Sequence, residues 1–265
     1  MKQRNPDYGI DAPGIRTGML IAGTFGLVIA FIAGGARRWH IFGEGILWPV
    51  APWLFVVGSV VAGYGLFMGG YMTYASKIGK LKTRQRLLDL VGVLRRWQGN
   101  EDVLDVGCGR GLMLIGAATR LDASRQGLAV GIDLWRAEDQ ADNTPAATMA
   151  NARLEGVAEK VRIDTGDARA LPYPDNSFDV LLSHWVVHNV DNVEDRSKIL
   201  DEMLRVLRPG GVIALADIAF VDSYQLHLKS RGATDIQFLD GGLEAQIMGL
   251  LSGGSFRPQV LLVRK

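Results

Sequence analysis

The sequence predicts an α/β domain with a mostly parallel sheet, preceded by two transmembrane helices. Two long uncharged stretches lie before residue 76, and segments typical of strands and helices alternate from Asp102 onward. A glycine-rich turn follows the first of these strands. Regular alternation of strand and helix is typical of parallel sheets with right-handed crossovers. A chain of 265 residues has room for one such domain and a smaller additional unit.

Composition narrows the classes of partner. The net charge is +1 and 22% of the residues are charged, so no bulk electrostatic attraction to nucleic acid is predicted. Cys108 is the single cysteine, which excludes an intramolecular disulfide and fits a reducing compartment. No metal site is predicted.

The two uncharged stretches predict membrane spans over residues 17–36 and 46–74. A helix needs about 20 apolar residues to cross the hydrocarbon core of a bilayer, and each stretch supplies them. A kink is expected near Pro49 and Pro52 of the second stretch. A cleaved signal peptide is the alternative for the first stretch, but a second hydrophobic stretch follows it at once.

Small residues recur in both stretches and are suited to close packing of the two helices. The alternative is the ordinary glycine content of membrane helices. These positions are Gly18, Gly23, Gly26, Gly58, Ala62, Gly65 and Gly69.

The flanking charges predict the topology. Basic residues precede the first stretch and follow the second, whereas Glu44 offsets Arg37 and Arg38 in the connection. By the positive-inside rule, both termini and the α/β domain are expected in the cytoplasm. The basic flanking residues are Lys2, Arg4, Arg16, Lys77, Lys80, Lys82, Arg84 and Arg86.

Three regions follow from these patterns. Residues 1–76 form the membrane anchor and residues 102–265 the α/β domain. Residues 77–101 are predicted to contain a basic amphipathic helix at Lys77–Trp97 that covers the sheet. Contact of this helix with anionic lipid headgroups is a second interpretation.

The first strand, predicted at Val103–Val106, runs into the glycine-rich turn Gly107–Gly111 and then into a helix beginning near Leu112. Glycines let a backbone approach a ligand closely, and the free N–H groups of a helix start favour an anion. The second strand ends in a carboxylate at Asp133. Further strands are predicted at Val161–Asp164, Val180–Ser183 and Val212–Asp217; helices are predicted after the Thr144-Pro145 cap and over Val193–Leu207, ending at the Pro209–Gly211 turn.

The glycine spacing distinguishes two kinds of nucleotide-binding site. A dinucleotide fingerprint requires a glycine at position 112, which is Leu112 here, and this disfavours an oxidoreductase. Instead, Val103–Gly111 resembles the first motif of class I S-adenosylmethionine-dependent methyltransferases. The later motifs Thr165–Ala168, Leu171–Asp179 and Leu207–Gly211 are similar to those of the quinone and sterol methyltransferase group. This resemblance implies a Rossmann-like, mostly parallel sheet of seven strands and S-adenosylmethionine as the cofactor.

The resemblance also implies roles for individual residues. The glycine turn would meet the amino-acid end of the cofactor, Asp133 the ribose hydroxyls and Asp167 the adenine amine. The full set of expected cofactor-binding residues is Asp105, Gly107, Cys108, Gly109, Gly111, Asp133, Leu134, Asp167, Ala168 and Ser183.

Three side chains are candidate catalytic groups. The resemblance places His184 and His188, which follow the fourth strand, beside the reacting methyl group, and either is a candidate base near neutral pH. Asp217, at the end of the fifth strand, is the third. The alternatives are structural: His184 packs near the cofactor, His188 stabilises its loop and Asp217 makes a local turn.

Two connections are longer than usual for this fold. In Leu134–Asn143, Trp135 is a candidate cover for adenine or ribose, and a solvated insertion is the alternative. Four charged residues of this connection are candidate acceptor contacts: Arg136, Glu138, Asp139 and Asp142. Gly241–Phe256, between the last two strands, either lines an acceptor site, touches the bilayer or forms a short helix packed on the sheet.

The sequence thus predicts a membrane-anchored methyltransferase whose acceptor is a lipid or another lipophilic small molecule. Two alternatives stay open: a soluble acceptor with the helices serving only as an anchor, and a catalytically silent binding subunit. Intact Asp133 and Asp167 argue against the silent subunit.

Overall fold

A computed structural model describes residues 5–39, 47–136, 140, 142–254 and 256–265, which fall into two units. The helical unit comprises Gly9–Gly79 with Glu138–Ala141, and the α/β unit comprises Lys80–Ala137, Asp142–Lys265 and the residues up to Tyr8. The α/β unit is therefore larger than the predicted domain, since it includes α3 (Lys80–Leu94) and the residues before the first apolar helix.

Two long helices make up the helical unit. Helix α1 spans Pro13–Trp39, and α2 spans Leu47–Tyr74 with Pro52 inside it. Segments starting at Pro13 and at Val50, with mean hydropathies of 2.0 and 1.8, are long and apolar enough to cross a membrane. A π-helical segment, Ala75–Gly79, leads into α3. Of the predicted topology signals, Lys2, Arg4 and most of the connection that contains Glu44 lie outside the described residues.

Close backbone packing between α1 and α2 explains most of the small residues. A Cβ added at Gly26 would lie 2.6 Å from the backbone N of Ala62, and one at Gly65 would lie 2.6 Å from the Met19 carbonyl oxygen. Gly18 instead has open space around it. The packing interpretation of the glycine pattern is therefore correct for the facing positions and wrong for Gly18.

The α/β unit has the predicted fold. Among the described residues seven strands form one sheet in the order β3-β2-β1-β4-β5-β7-β6, and β7 alone runs in the direction opposite to the other six strands. The strands are β1 (Asp102–Val106), β2 (Leu128–Asp133), β3 (Val161–Thr165), β4 (Phe178–His184), β5 (Leu207–Asp217), β6 (Thr234–Asp240) and β7 (Gln259–Arg264). The remaining helices are α4 (Leu112–Ala118), α5 (Pro145–Leu154), α6 (Val193–Val206), α7 (Val221–Ser230) and α8 (Gly242–Leu251).

The core lies on both faces of this sheet because consecutive strand residues point to opposite sides. On one face, Leu87, Leu88 and Val91 of α3 are buried against α4 and the strands. Helix α3 therefore covers the sheet, as its apolar spacing predicts. Helices α6 and α7 cover the other face, for example with Met203 and Leu228.

Several boundaries differ from the sequence prediction, and the largest difference is at the start of β5. The Pro209–Gly211 turn lies within β5, which begins at Leu207 directly after α6. Leu207 pairs with Phe178, and the register shifts before Val180 pairs with Val212. This irregularity accommodates the extra residues, and Gly210 adopts a φ of +77° that favours glycine.

The long connection Gly241–Phe256 contains helix α8, so the helix interpretation is correct. Its Ala245 and Met248 are buried, whereas Leu243, Ile247 and Leu250 on the other side are exposed. The helix thus has one buried apolar side and one exposed apolar side.

Candidate active site

The glycine loop Gly107–Gly111 joins β1 to α4 at the carboxyl edge of the sheet. The backbone N–H groups of Gly107 and Cys108 both donate to the Ile132 carbonyl, at 2.8 and 3.2 Å, which fixes the loop beside β2. Gly107 and Gly111 have φ values of +74° and +86°, and a Cβ at Gly107 would collide with Val186. Only glycine therefore fits at position 107 without displacing its neighbour.

Asp133, at the end of β2, lies beside the glycine loop. Its Oδ2 accepts from the Gly109 N–H at 2.8 Å, and its Oδ1 accepts from the Trp135 N–H at 2.6 Å. The Nδ2 group of Asn143 donates to the same Oδ1 at 3.3 Å. Adjacent parallel strands thus bring the predicted carboxylate and the predicted loop together.

Asn143 is a site residue that sequence reasoning missed. It is 7% exposed, and its Oδ1 has no hydrogen-bond partner among the residues that the structure describes. A buried amide oxygen without a partner is unfavourable unless a ligand or water supplies a donor. The sequence feature that could have indicated Asn143 is its position at the end of the long connection, directly before the Thr144 cap.

Asp105, near the end of β1, is buried and hydrogen-bonded to α4. Its Oδ2 accepts from the Leu114 N–H at 2.8 Å, in the first turn of α4. Burial raises the pKa of Asp105 to about 7, and the nearby charge of Asp133 adds to the shift. Burial likewise raises the pKa of the Cys108 thiol, which is 5% exposed.

Asp167 is held by a residue that the sequence analysis did not consider. The Arg169 guanidinium donates to both carboxylate oxygens, with Nη2 to Oδ2 at 2.6 Å, and its Nη1 donates to Asp195 at 2.8 Å. This arginine lowers the pKa of Asp167 below its usual range and keeps it ionised. Ala168 packs against the core beside them.

Three rings lie at the end of β4. His184 stacks on Trp185 with ring centroids 4.8 Å apart, and Phe256 meets Trp185 edge-on at 5.4 Å. Trp185 has a φ of +60°, a conformation that is strained for a bulky side chain. Ser183, directly before these rings, is 1% exposed, and its Oγ has no hydrogen-bond partner within the described ranges.

His188 and Asp217, predicted as separate candidates, form a pair. His188 Nδ1 lies 2.5 Å from Asp217 Oδ1, and the His188 N–H donates to Oδ2 at 3.0 Å. The Ile218 N–H and the Tyr224 hydroxyl also donate to the carboxylate, which is fully buried. A protonated Nδ1 bound to Asp217 leaves Nε2 as the acceptor nitrogen of the ring.

The described residues of the connection after β2 make several contacts, and the charge of Arg136 helps to lower the pKa of Asp167. Trp135 Nε1 donates to Thr165 Oγ1 at 2.8 Å, and Leu134 is 45% exposed. Asp142 lies 3.7 Å from the guanidinium of Arg110. Glu138 and Asp139, two of the candidate acceptor contacts, lie outside the described residues.

These residues fit S-adenosylmethionine. The Asn143 Oδ1 and Ser183 Oγ atoms are polar groups without hydrogen-bond partners in the described chain, and a bound ligand would supply donors to them. The carboxylates of Asp133 and Asp167 are suited to hydroxyl and amine donors, respectively. In the described ranges no group of three or more His, Cys, Asp or Glu side chains is arranged to hold a metal ion.

Comparison with known proteins agrees with this geometry. Residues 104–215 match the family model described as a methyltransferase domain. The chain is 33% identical over 139 residues to 27-O-demethylrifamycin SV methyltransferase of Amycolatopsis mediterranei, covering 52% of this chain and 46% of that protein. It is 33% identical over 152 residues to 2-methyl-6-phytyl-1,4-hydroquinone methyltransferase of Synechocystis, covering 55% and 42%.

The chain spans less than half the length of these two curated relatives. Among solved structures, geranyl diphosphate C-methyltransferase from Streptomyces coelicolor superposes with a TM-score of 0.56 at 15% identity, covering 74% of this chain and 83% of that one. This likeness shows the fold. The family model and the motifs that it covers identify residues 104–215 as an S-adenosylmethionine-dependent methyltransferase domain.

Proposed function

We propose that the chain is a membrane-anchored methyltransferase that acts on a lipid or another lipophilic small molecule. The observation that carries this proposal is the His188–Asp217 pair, which lies at the same edge of the sheet as the glycine loop and Asp133. A candidate base and a cofactor cradle at one edge support methyl transfer. The two long apolar helices of the same chain support a membrane location.

The cofactor, when bound, supplies an electrophilic methyl group on a sulfonium sulfur. The Gly107–Gly111 loop would hold its amino-acid end, Asp133 and Asn143 its ribose hydroxyls, and Asp167 its adenine amine. Most of the rate acceleration is expected from holding the acceptor in line with the methyl group, since orientation alone contributes on the order of 7–11 kcal/mol in favourable cases.

The His188–Asp217 pair would remove a proton from the acceptor. Asp217 holds the imidazole through Nδ1, so Nε2 is the nitrogen that takes the proton. The buried carboxylate then stabilises the imidazolium that forms. A base in this position suits an acceptor whose hydroxyl, amine or activated carbon loses a proton on methylation.

Apolar residues at the same edge support a lipophilic acceptor. Trp185 and Phe256 form an aromatic contact after β4. Helix α8 precedes β7, and the first residue of β7, Gln259, pairs with Asp217. The exposed side of α8 carries Leu243, Ile247 and Leu250. An exposed apolar stripe of this kind favours contact with a lipid or an apolar ligand.

Labelled cofactor tests the acceptor class. The full-length protein in lipid bilayers, supplied with methyl-labelled S-adenosylmethionine, is expected to label a component of a membrane lipid extract, which mass spectrometry detects as an added methyl group. Asp217→Asn is the inactive control. Label that enters only a polar metabolite fraction would contradict the lipophilic acceptor, and no label in either fraction would favour the silent subunit.

Thiol labelling tests the topology. We expect both termini in the cytoplasm, so a cysteine at Trp39 should react with an impermeant reagent in intact cells and one at Lys265 should not. The native Cys108 is buried and gives little background. The reverse labelling pattern would put the α/β unit on the side of the membrane opposite to its cytoplasmic cofactor supply.

A further inference from the structure

Residues that precede the first apolar helix dock beside the glycine loop, more than 100 positions away in sequence. The carbonyl oxygen of Asp7 accepts from Arg110 Nε and from Asn151 Nδ2, both at 2.8 Å. The Asp7 N–H donates to Asn151 Oδ1 at 3.0 Å. The Asn151 amide thus pairs with both backbone groups of Asp7, which fixes this point of the chain.

Tyr8 secures the same segment by burial. Its side chain is 6% exposed; its hydroxyl donates to Glu155 and accepts from Arg84 Nη1 at 3.0 Å. Burial and the hydrogen bond to Glu155 raise the pKa of Tyr8, so the hydroxyl stays protonated. The ammonium of Lys80, itself buried, donates to the Tyr8 carbonyl at 3.0 Å. We call Asp7 and Tyr8 the N-terminal strap.

The strap is connected to the glycine loop through two side chains. Arg110 is a loop residue, between Gly109 and Gly111, and its side chain is only 10% exposed. Asn151 Nδ2 donates to the Arg110 carbonyl at 3.0 Å as well as to Asp7. The loop glycines adopt left-handed backbone conformations, and glycine residues have a large conformational entropy when nothing restrains them. Contacts from outside the loop are therefore expected to determine how rigid it is.

We propose that Asp7 and Tyr8 are positioning residues of the glycine loop, acting through Arg110 and Asn151. They set the mobility of the loop and thereby the affinity for the cofactor. Tyr8 is the last residue of the α/β unit before the helical unit begins, and Lys80 is the first residue after Gly79, where that stretch of the helical unit ends. The hydrogen bond from the Lys80 ammonium to the Tyr8 carbonyl joins these two residues. The consequence for cofactor affinity rests on the proposed function, whereas the consequence for loop mobility does not.

Cys108 reports on the loop without any cofactor. It is the single cysteine of the chain and is 5% exposed, so its reaction with a thiol reagent measures how often the loop opens. In the full-length protein, Tyr8→Ala is expected to accelerate this reaction by about tenfold, the effect of losing about 1.4 kcal/mol of local stabilisation. Tyr8→Phe keeps the buried ring and the Lys80 contact and should lie between wild type and Tyr8→Ala.

Leu228→Ala is the matched control, because Leu228 is fully buried in the core on the opposite face of the sheet. Denaturant titration shows whether the two variants lose comparable unfolding free energy. Comparable global losses with a faster Cys108 reaction only in Tyr8→Ala support a local role for the strap. Equal acceleration in both variants, or none in Tyr8→Ala, overturns it.

Calorimetry with S-adenosylhomocysteine tests the second consequence. We expect Tyr8→Ala and Asn151→Ala to weaken binding by about tenfold, and Leu228→Ala to change it by less than about threefold. Unchanged affinity alongside a mobile loop would overturn the coupling to the cofactor. If wild type does not bind the cofactor, the proposed function fails, and the Cys108 rates still decide the role of the strap in positioning the loop.

Discussion

Replacing His188 with alanine is expected to lower turnover by about 10²–10⁴-fold, the usual contribution of a positioned general base. Cofactor affinity should change by less than about threefold, because the hydrogen bonds of His188 within the described chain go to Asp217. Asp217→Asn should produce a loss of similar direction. An amide would offer an N–H to the imidazole and favour the tautomer whose Nε2 carries a proton, which removes the base.

His227 provides a matched control for this prediction. It pairs with Asp201, with Nε2 2.7 Å from Oδ1, and its side chain is 18% exposed, as is that of His188. Removing His227 therefore deletes an equally buried histidine from a His–Asp pair outside the proposed site, one whose Asp201 is 36% exposed where Asp217 is buried. Turnover is measured with cofactor saturating. A His188→Ala enzyme as active as His227→Ala would show that the acceptor needs no base here.

Local sequence patterns predicted the helices, strands and turns because each of these elements depends mainly on residues that are close together in the sequence. The glycine turn, the Thr144-Pro145 cap and the apolar strands all lie where the sequence indicates them, and Thr144 accepts from the Ala147 N–H at 3.2 Å. The main boundary error is at Leu207–Gly211. There Leu207 pairs with Phe178 of β4 ahead of a register shift, and the Gly210 N–H donates to the Lys265 carbonyl at 2.9 Å, so the strand runs through residues that local rules assign to a turn.

The contacts within the site were harder to predict. The His188–Asp217 pair was within reach, because β4 and β5 are parallel neighbours whose carboxyl ends meet at one edge. Asp167 and Arg169 are two positions apart, so their ion pair could also have been predicted from the sequence. The strap has no such signal: Asp7 and Asn151 are 144 positions apart, and only the packed structure brings them together.

Asp133→Ala is expected to weaken cofactor binding by at least tenfold and by up to about 10⁴-fold, since two charge-assisted hydrogen bonds of about 1.5–3 kcal/mol each are lost. The fold should persist, because Asp133 is only partly buried at the end of β2. Calorimetry with S-adenosylhomocysteine measures the effect, and unchanged affinity would remove Asp133 from the site.

Asn143 makes this prediction sharper. Its Nδ2 donates to Asp133 Oδ1 at 3.3 Å, so the two side chains are expected to act on the ribose as one unit. Asn143→Ala should weaken binding less than Asp133→Ala, and the double variant should weaken it by less than the product of the single effects, because residues in contact are not additive. Fully additive effects would show that Asn143 contributes independently of Asp133. In that case each side chain would bind a ribose hydroxyl of its own. If Asn143 only oriented the Asp133 carboxylate, Asn143→Ala would cause no further loss of affinity in the Asp133→Ala variant.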